Sequence, residues 1–243
     1  FHTFNLPQYT AIFFNQTNSL LKNAEVREAL ALAIHKDEIL DQALNNEGQI
    51  IHAPVLPGFV GYNPEVRKYN YDPDLASNFL NDKGWVFPQT PEGQEAPALP
   101  VLQKDVVELA FSISTIDQEE YVTTVELIKK YWEAIGVRVE LKIYPVKDIQ
   151  KKVIAPRQYE ALLFGEIVGA DPDPYPFWHS SQNRDPGLNL AVFFNKQVDQ
   201  LLEEARQTDD SEQRQLKYLH FQNILADELP AIFLYNPTYT YPV

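Results

Sequence analysis

The sequence predicts an α/β fold, a mixed sheet flanked by helices, and three observations carry that expectation. Runs rich in β-branched and aromatic residues recur along the chain, from "QYTAIFFN" (8–15) to "AIFLYNPTY" (231–239). Between them lie segments whose apolar residues repeat every three to four positions and whose ends carry capping residues. In the middle, "VVELAFSIS", a helical segment and "VRVELKIY" follow one another as strand, helix, strand. A chain of 243 residues that is 44% hydrophobic can bury a real core. At roughly 150 residues per domain it has room for one large domain or two small ones.

The elements follow in order. After the first strand, "NAEVREALALAIHKDEILDQAL" carries Val26, Leu30, Ala33, Leu40 and Leu44 as a helical stripe. Asn23 is placed to cap its start, and Asp37 interrupts the stripe where a second helix can begin. Residues 50–69 are broken by proline and glycine and read as irregular. "YDPDLASNFLNDKGW" is a helix with Asp72 as N-cap, Pro73 at the first helical position and Gly84 just past its end. Residues 86–104 hold Pro88, Pro91, Pro97 and Pro100 and read as an exposed loop. In the next helix Tyr121, Val125, Ile128, Trp132 and Ile135 form the buried face, Thr115 and Gln118 have the spacing of a capping box, and Gly136 ends it. "VRVELKIY" alternates as a half-exposed strand does. A short helix around "VKDIQKKVI", a strand "YEALLFGEIV", then helices "KQVDQLLEEARQT" and Asp210 to about Asp227 complete the series.

Composition excludes several functions. A net charge of −14 repels phosphates and so argues against nucleic-acid or anionic-membrane partners. It suits a cationic ligand, although solubility is the commoner reason for an acidic surface. With no cysteine there are no disulfides, zinc–thiolate sites or cysteine nucleophiles. No apolar run approaches the roughly 20 residues that span a membrane. The chain starts at Phe1 and contains no methionine, which is expected of a piece of something longer.

The chemistry concentrates in "GADPDPYPFWHSSQ" (169–182), where two aspartates, three prolines, three aromatics and a histidine fall within fourteen positions. Its prolines forbid a regular strand and delay any helix until about Phe177. A metal site using Asp171, Asp173 and His179 is conceivable, but the acids are only two apart across Pro172 and further oxygen ligands are missing. Paired carboxylates, as in glycoside hydrolysis, are a second reading. Neither a G-x-S-x-G elbow nor a glycine-rich phosphate loop is present. Asp173 ahead of Pro174 is equally suited to capping a helix. Tyr175, Phe177 and Trp178 beside fixed carboxylates fit a pocket for an ammonium group with an apolar neighbour, although Trp178 fits a place in the core equally well.

The order of these segments resembles the extracytoplasmic solute-binding proteins of peptide and nickel ABC importers, the dipeptide- and oligopeptide-binding family. The resemblance rests on Phe14-Asn15 followed by "VREALALAIHKDEIL", on "YNYDPDLASNFLNDKGW", on "TVELIKKYWEAIGVRVEL", on "GADPDPYPFWHSS" and on the tail through "AIFLYNP". It implies the later lobe of a two-lobed, periplasmic-binding-protein-like fold, spanning 1–243 as a single lobe. It also implies an extracytoplasmic location with a lipid anchor in the full-length protein, and no cofactor. The implied partners are a peptide or other small polar solute, ABC permease subunits and the first lobe of the same chain. The family's cleft acid pairs with the ligand's α-ammonium; Asp171 matches it through the preceding Ala170, and the alternative register gives Asp173. The expected ligand-binding residues are therefore Asp171, Asp173, Tyr175, Trp178 and His179. The rival reading is a hydrolase acting on sugars or peptides with cleft carboxylates. Two structural expectations follow. Arg27 is a buried ion-pair partner, and the strands "QYTAIFFN" and "AIFLYNPTY" are neighbours, with Tyr235, Tyr239 and Tyr241 lining an open face.

Overall fold

A computed structural model describes residues 2–89, 97–169 and 173–241. Its centre is a mixed sheet built on the two strands at opposite ends of the sequence. Strand β1 (His2–Asn5) leads into β2 (Gln8–Phe14), and both pair antiparallel with β9 (Ala231–Tyr241). The eleven residues of β9 serve three partners in turn. Its start pairs with β2, its middle with the short β3 (Gly48–Ile50), and its last residues with β1. Asn236, buried in the middle of β9, fixes this crossing. Its amide donates to Leu6 O and Gln8 O, each at 2.7 Å, and its oxygen accepts from Gln49. The expected pairing of the two end strands is observed.

On the other side of β2 lies β8 (Ala161–Ile167), antiparallel, in register from Gln8↔Ile167 to Phe14↔Ala161. Beyond it β6 (Ala110–Ile116) is parallel to β8, and β7 (Arg138–Tyr144) is parallel to β6. Parallel neighbours require a crossover. Helix α4 (Glu119–Ala134) supplies it between β6 and β7, and Gly136 ends the turn with φ +84°. β7 is the sheet edge, which its alternating charged residues suit.

Helices cover both faces. On one face α1 (Ala24–Leu32), α2 (Lys36–Leu44), α3 (Pro73–Asp82) and α4 bury Leu30, Leu80, Ile128 and Trp132 against Ile12, Phe14 and Ile113. On the other, α5 (Val146–Ile149) with the wider turn after it, α6 (Tyr175–Trp178), α7 (Lys196–Gln207) and α8 (Ser211–Glu228) pack against Tyr9, Phe13, Leu162 and Phe233. A small hairpin, β4 (Gln103–Lys104) with β5 (Val107–Glu108), sits outside the sheet.

The capping expectations at Asn23 and Asp72 hold, each accepting a backbone N–H at the start of its helix, and Asp210 does the same for α8. Five details differ. The second helix starts at Lys36, one residue before Asp37, because His35 Nδ1 accepts the Glu38 N–H and acts as the cap. The capping box at α4 does not form. Thr115 is still inside β6, where its hydroxyl donates to Leu163 O, and Gln118 makes no side-chain cap. Arg27 is buried as expected, but its partners are carbonyl oxygens rather than a carboxylate. The guanidinium donates to Leu21 O, Glu228 O and Leu229 O, closing the open end of α8. Tyr235 does not line an open face. It is 1% exposed and its hydroxyl meets Thr124, whereas Tyr239 is 54% exposed; the side chain of Tyr241 lies outside the described residues. In the segment 86–104, residues 86–89 and 97–100 are exposed, while Val86 bridges to Gln103 and Leu102 is buried.

Candidate functional site

The parallel strands β6 and β8 point their C-terminal ends at one rim of the sheet. In such sheets ligands bind outside the carboxyl ends of the strands. The segment that leaves β8 at this rim is the proline-rich stretch singled out above. Its first anchor is Val168, whose N–H donates to Pro7 O at 2.8 Å. Residues 170–172, including Asp171, lie outside the described residues.

The second anchor begins at Asp173. Its carboxylate accepts the Tyr175 N–H at 3.2 Å, so it caps the start of α6, and it also takes a two-pronged contact from Arg206 on α7, with Nε at 2.9 Å. The helix begins at Tyr175, two residues earlier than the prolines led us to expect. Pro174 precedes it and Pro176 occupies its first turn, where a missing N–H costs nothing.

Tyr175 is held on both faces of its ring. The Arg206 guanidinium lies 3.8 Å from the ring centroid on one side, and the His179 imidazole stacks at 4.1 Å and 15° on the other. Pairing with Asp173 raises the Arg206 pKa above its ordinary value. His179 is 7% exposed and fully engaged. Its Nδ1 accepts the Ser181 N–H at 3.1 Å, which assigns the ring proton to Nε2, and Nε2 faces Glu203 at 3.2 Å. The neighbouring Ser180 gives its N–H and hydroxyl to Asp199 at 2.8 and 2.6 Å. Asp173, Tyr175 and His179 thus form one cluster bound to α7. Trp178 leaves it. The indole is 1% exposed, packed against Phe13 and Phe233, and so is core. Among the described residues no three metal-capable side chains gather.

Beneath this segment lies a polar group that the sequence reading passed over. Glu166 on β8 stands opposite Tyr9 on β2, and the Tyr9 hydroxyl donates to its Oε2. Glu166 is 5% exposed, its Oε1 has no partner, and burial pushes its pKa up from 4.5 to about 8. Trp178 Nε1 is likewise buried without a hydrogen-bond partner among the described residues. Asn189 is a second omission. Wholly buried, its amide donates to Trp178 O, His179 O and Phe193 O and so locks the return of the segment. A signal existed for Glu166: it shares the period-two face of Leu162 and Phe164, where an apolar residue is expected. None existed for Asn189.

Comparison with known proteins agrees with this architecture. The oligopeptide-binding protein AppA of Bacillus subtilis is 27% identical over 237 residues, covering 94% of this chain and 41% of its own. The nickel-binding periplasmic protein of Escherichia coli is 27% identical over 219 residues, covering 86% and 38%. The structure of AppA from Bacillus subtilis in complex with a nonapeptide superposes with a TM-score of 0.87 at 25% identity, covering 99% of this chain and 49% of that one. NikZ from Campylobacter jejuni in complex with Ni(L-His) gives 0.82 at 26% identity, covering 98% and 47%. The chain therefore spans about two fifths of the length of its curated relatives. Residues 2–188 match the family described as bacterial extracellular solute-binding proteins, family 5, middle region. The chain belongs to that family.

Proposed function

We propose that residues 1–243 form the ligand-binding lobe of a two-lobed extracytoplasmic receptor. It delivers peptides, or similarly polar and cationic solutes, to an ABC importer and is held at the membrane by a lipid anchor in the full-length protein. Asp171 pairs with the ligand's ammonium group, and the cluster around Tyr175 holds the segment in place for it. The observation that carries this reading is the engagement of Asp173. A carboxylate already neutralised by Arg206 offers little net field to an incoming cation, so of the two registers Asp171 is the better ligand acid. The same engagement speaks against a catalytic pair, because Asp173 is committed to a guanidinium and a backbone N–H. Tyr175, Trp178 and His179 support the site from behind rather than by touching ligand, since each is spent on contacts within the lobe.

The test is Asp171→Asn in the full-length protein. A charge-assisted contact in a partly dry cleft contributes roughly 1.5–3 kcal/mol. Calorimetric titration with a panel of short peptides should then show affinity weakened by about 10- to 100-fold, with the melting temperature unchanged. Nickel–histidine in the same titration separates a peptide receptor from a metal-chelate receptor. Unchanged affinity for every ligand that the parent binds would remove Asp171 from the site.

A further inference from the structure

Away from the rim, at the start of α2, the structure buries a cation with nothing to neutralise it. Lys36 is the first residue of this helix; the residue is half-buried, with its ammonium turned in towards the segment that follows β3. Nζ donates to Ile51 O at 3.2 Å and faces His52 Nδ1 at 3.4 Å. Among the described residues no carboxylate comes within ion-pair distance of it. The other charges nearby do not help. Arg67 shares the same wall and spends its charge on Glu28, whereas Lys68 adds positive charge next to His52. Tyr69, which feels Glu28 and Asp227, gives its hydroxyl to Ala226 O. The position adds to the cost, because the N-terminal end of a helix carries partial positive charge.

Lys36, His52, Arg67 and Tyr69 enclose a cavity of about 20 Å³, room for a single water-sized particle. An ammonium carries three donors, and two of these are accounted for. A lone buried ammonium is costly unless paired, so it either gives up its proton or acquires a counter-ion. We propose that this cavity binds one small monovalent anion of halide size, which pairs with the Lys36 ammonium. His52 takes part as a neutral donor–acceptor: its Nδ1 accepts from Lys36, and burial beside two lysines holds its pKa down at about 3. Burial alone lowers the Lys36 pKa to about 7, so anion uptake is coupled to protonation and strengthens as pH falls through that value.

Two measurements on the protein test this together. Crystals grown at pH 6 and soaked in bromide should show an anomalous peak in the cavity, in contact with Lys36 Nζ. Thermal unfolding at pH 6 should give a melting temperature about 3–6 °C higher in sodium chloride than in sodium gluconate of equal ionic strength, for a tenfold excess over Kd. The increment should shrink at pH 9 and vanish in Lys36→Met. A cavity without a bromide peak, or equal melting temperatures in the two salts, would overturn the proposal in favour of a neutral amine beside a water. Should Lys36→Met fail to fold, the bromide peak and the chloride increment of the parent protein still decide.

Discussion

Replacing Glu166 with Gln should make the protein more stable, and only above a definite pH. The parent side chain is 5% exposed, with one oxygen taken by Tyr9 and the other unpartnered. The neighbouring charge of Arg157 favours ionisation but does not outweigh burial, which holds the pKa at about 8 against 4.5 in the unfolded chain. Below pH 4.5 both states are protonated and the residue contributes no pH dependence. Between 4.5 and 8 the unfolded chain releases a proton that the folded chain retains, so stability falls by about 1.4 kcal/mol per pH unit. The loss reaches about 3 kcal/mol at pH 7 and levels off near 5 kcal/mol above pH 8. Gln is isosteric, still accepts from Tyr9 and cannot ionise. Urea unfolding monitored by tryptophan fluorescence from pH 4.5 to 9 should give parent and variant curves that meet at the acid end and diverge through neutrality. Parallel curves across this range would refute the argument and mean that Glu166 is ionised in the folded protein, paired more tightly than its surroundings indicate.

Two further outcomes are expected. Arg27→Ala strands the carbonyls of Leu21, Glu228 and Leu229, at about 1–3 kcal/mol for each that water does not reach, and should cost roughly 3–5 kcal/mol in all, a drop in melting temperature of about 6–20 °C by calorimetry; a change under 1 kcal/mol would mean that water replaces the guanidinium freely. The Asp173–Arg206 pair has both side chains about two-fifths exposed, so a double-mutant cycle with Asp173→Asn and Arg206→Gln should return a coupling of only about 0.5–1 kcal/mol; a coupling near 3 kcal/mol would show that the pair is drier than its exposure implies.

Much of the fold was legible because its signals are local. Asn23, Asp72 and Gly84 lie within a turn of the structure they govern, and the 3.6-residue pattern brings the apolar face of α4 to the core without knowledge of the rest of the chain. The failures are equally instructive. Thr115 has the right spacing for a capping box, yet the last residues of β6 are worth more as a paired strand than as a cap. Tyr235 looks like a surface tyrosine in a tyrosine-rich tail. It is buried because β9 is a central strand at its start and reaches the periphery only towards its end.

The site was less legible than the fold because its contacts are distant in sequence. The partner of Asp173 is 33 residues away on α7, and that of His179 is 24 away on the same helix. Acids and aromatics crowded into one loop read equally well as ligand contacts or as the means of holding the loop still, and the sequence contains nothing to choose between them. The geometry ties Asp173, Tyr175 and His179 to α7, with the Tyr175 ring between a guanidinium and an imidazole. That allocation has a physical reason. A proline-rich segment has few N–H groups to offer to regular hydrogen bonding. Side chains such as Asp173, Tyr175 and His179 supply order instead, and under the function proposed above less binding energy is then consumed in ordering the segment when ligand arrives.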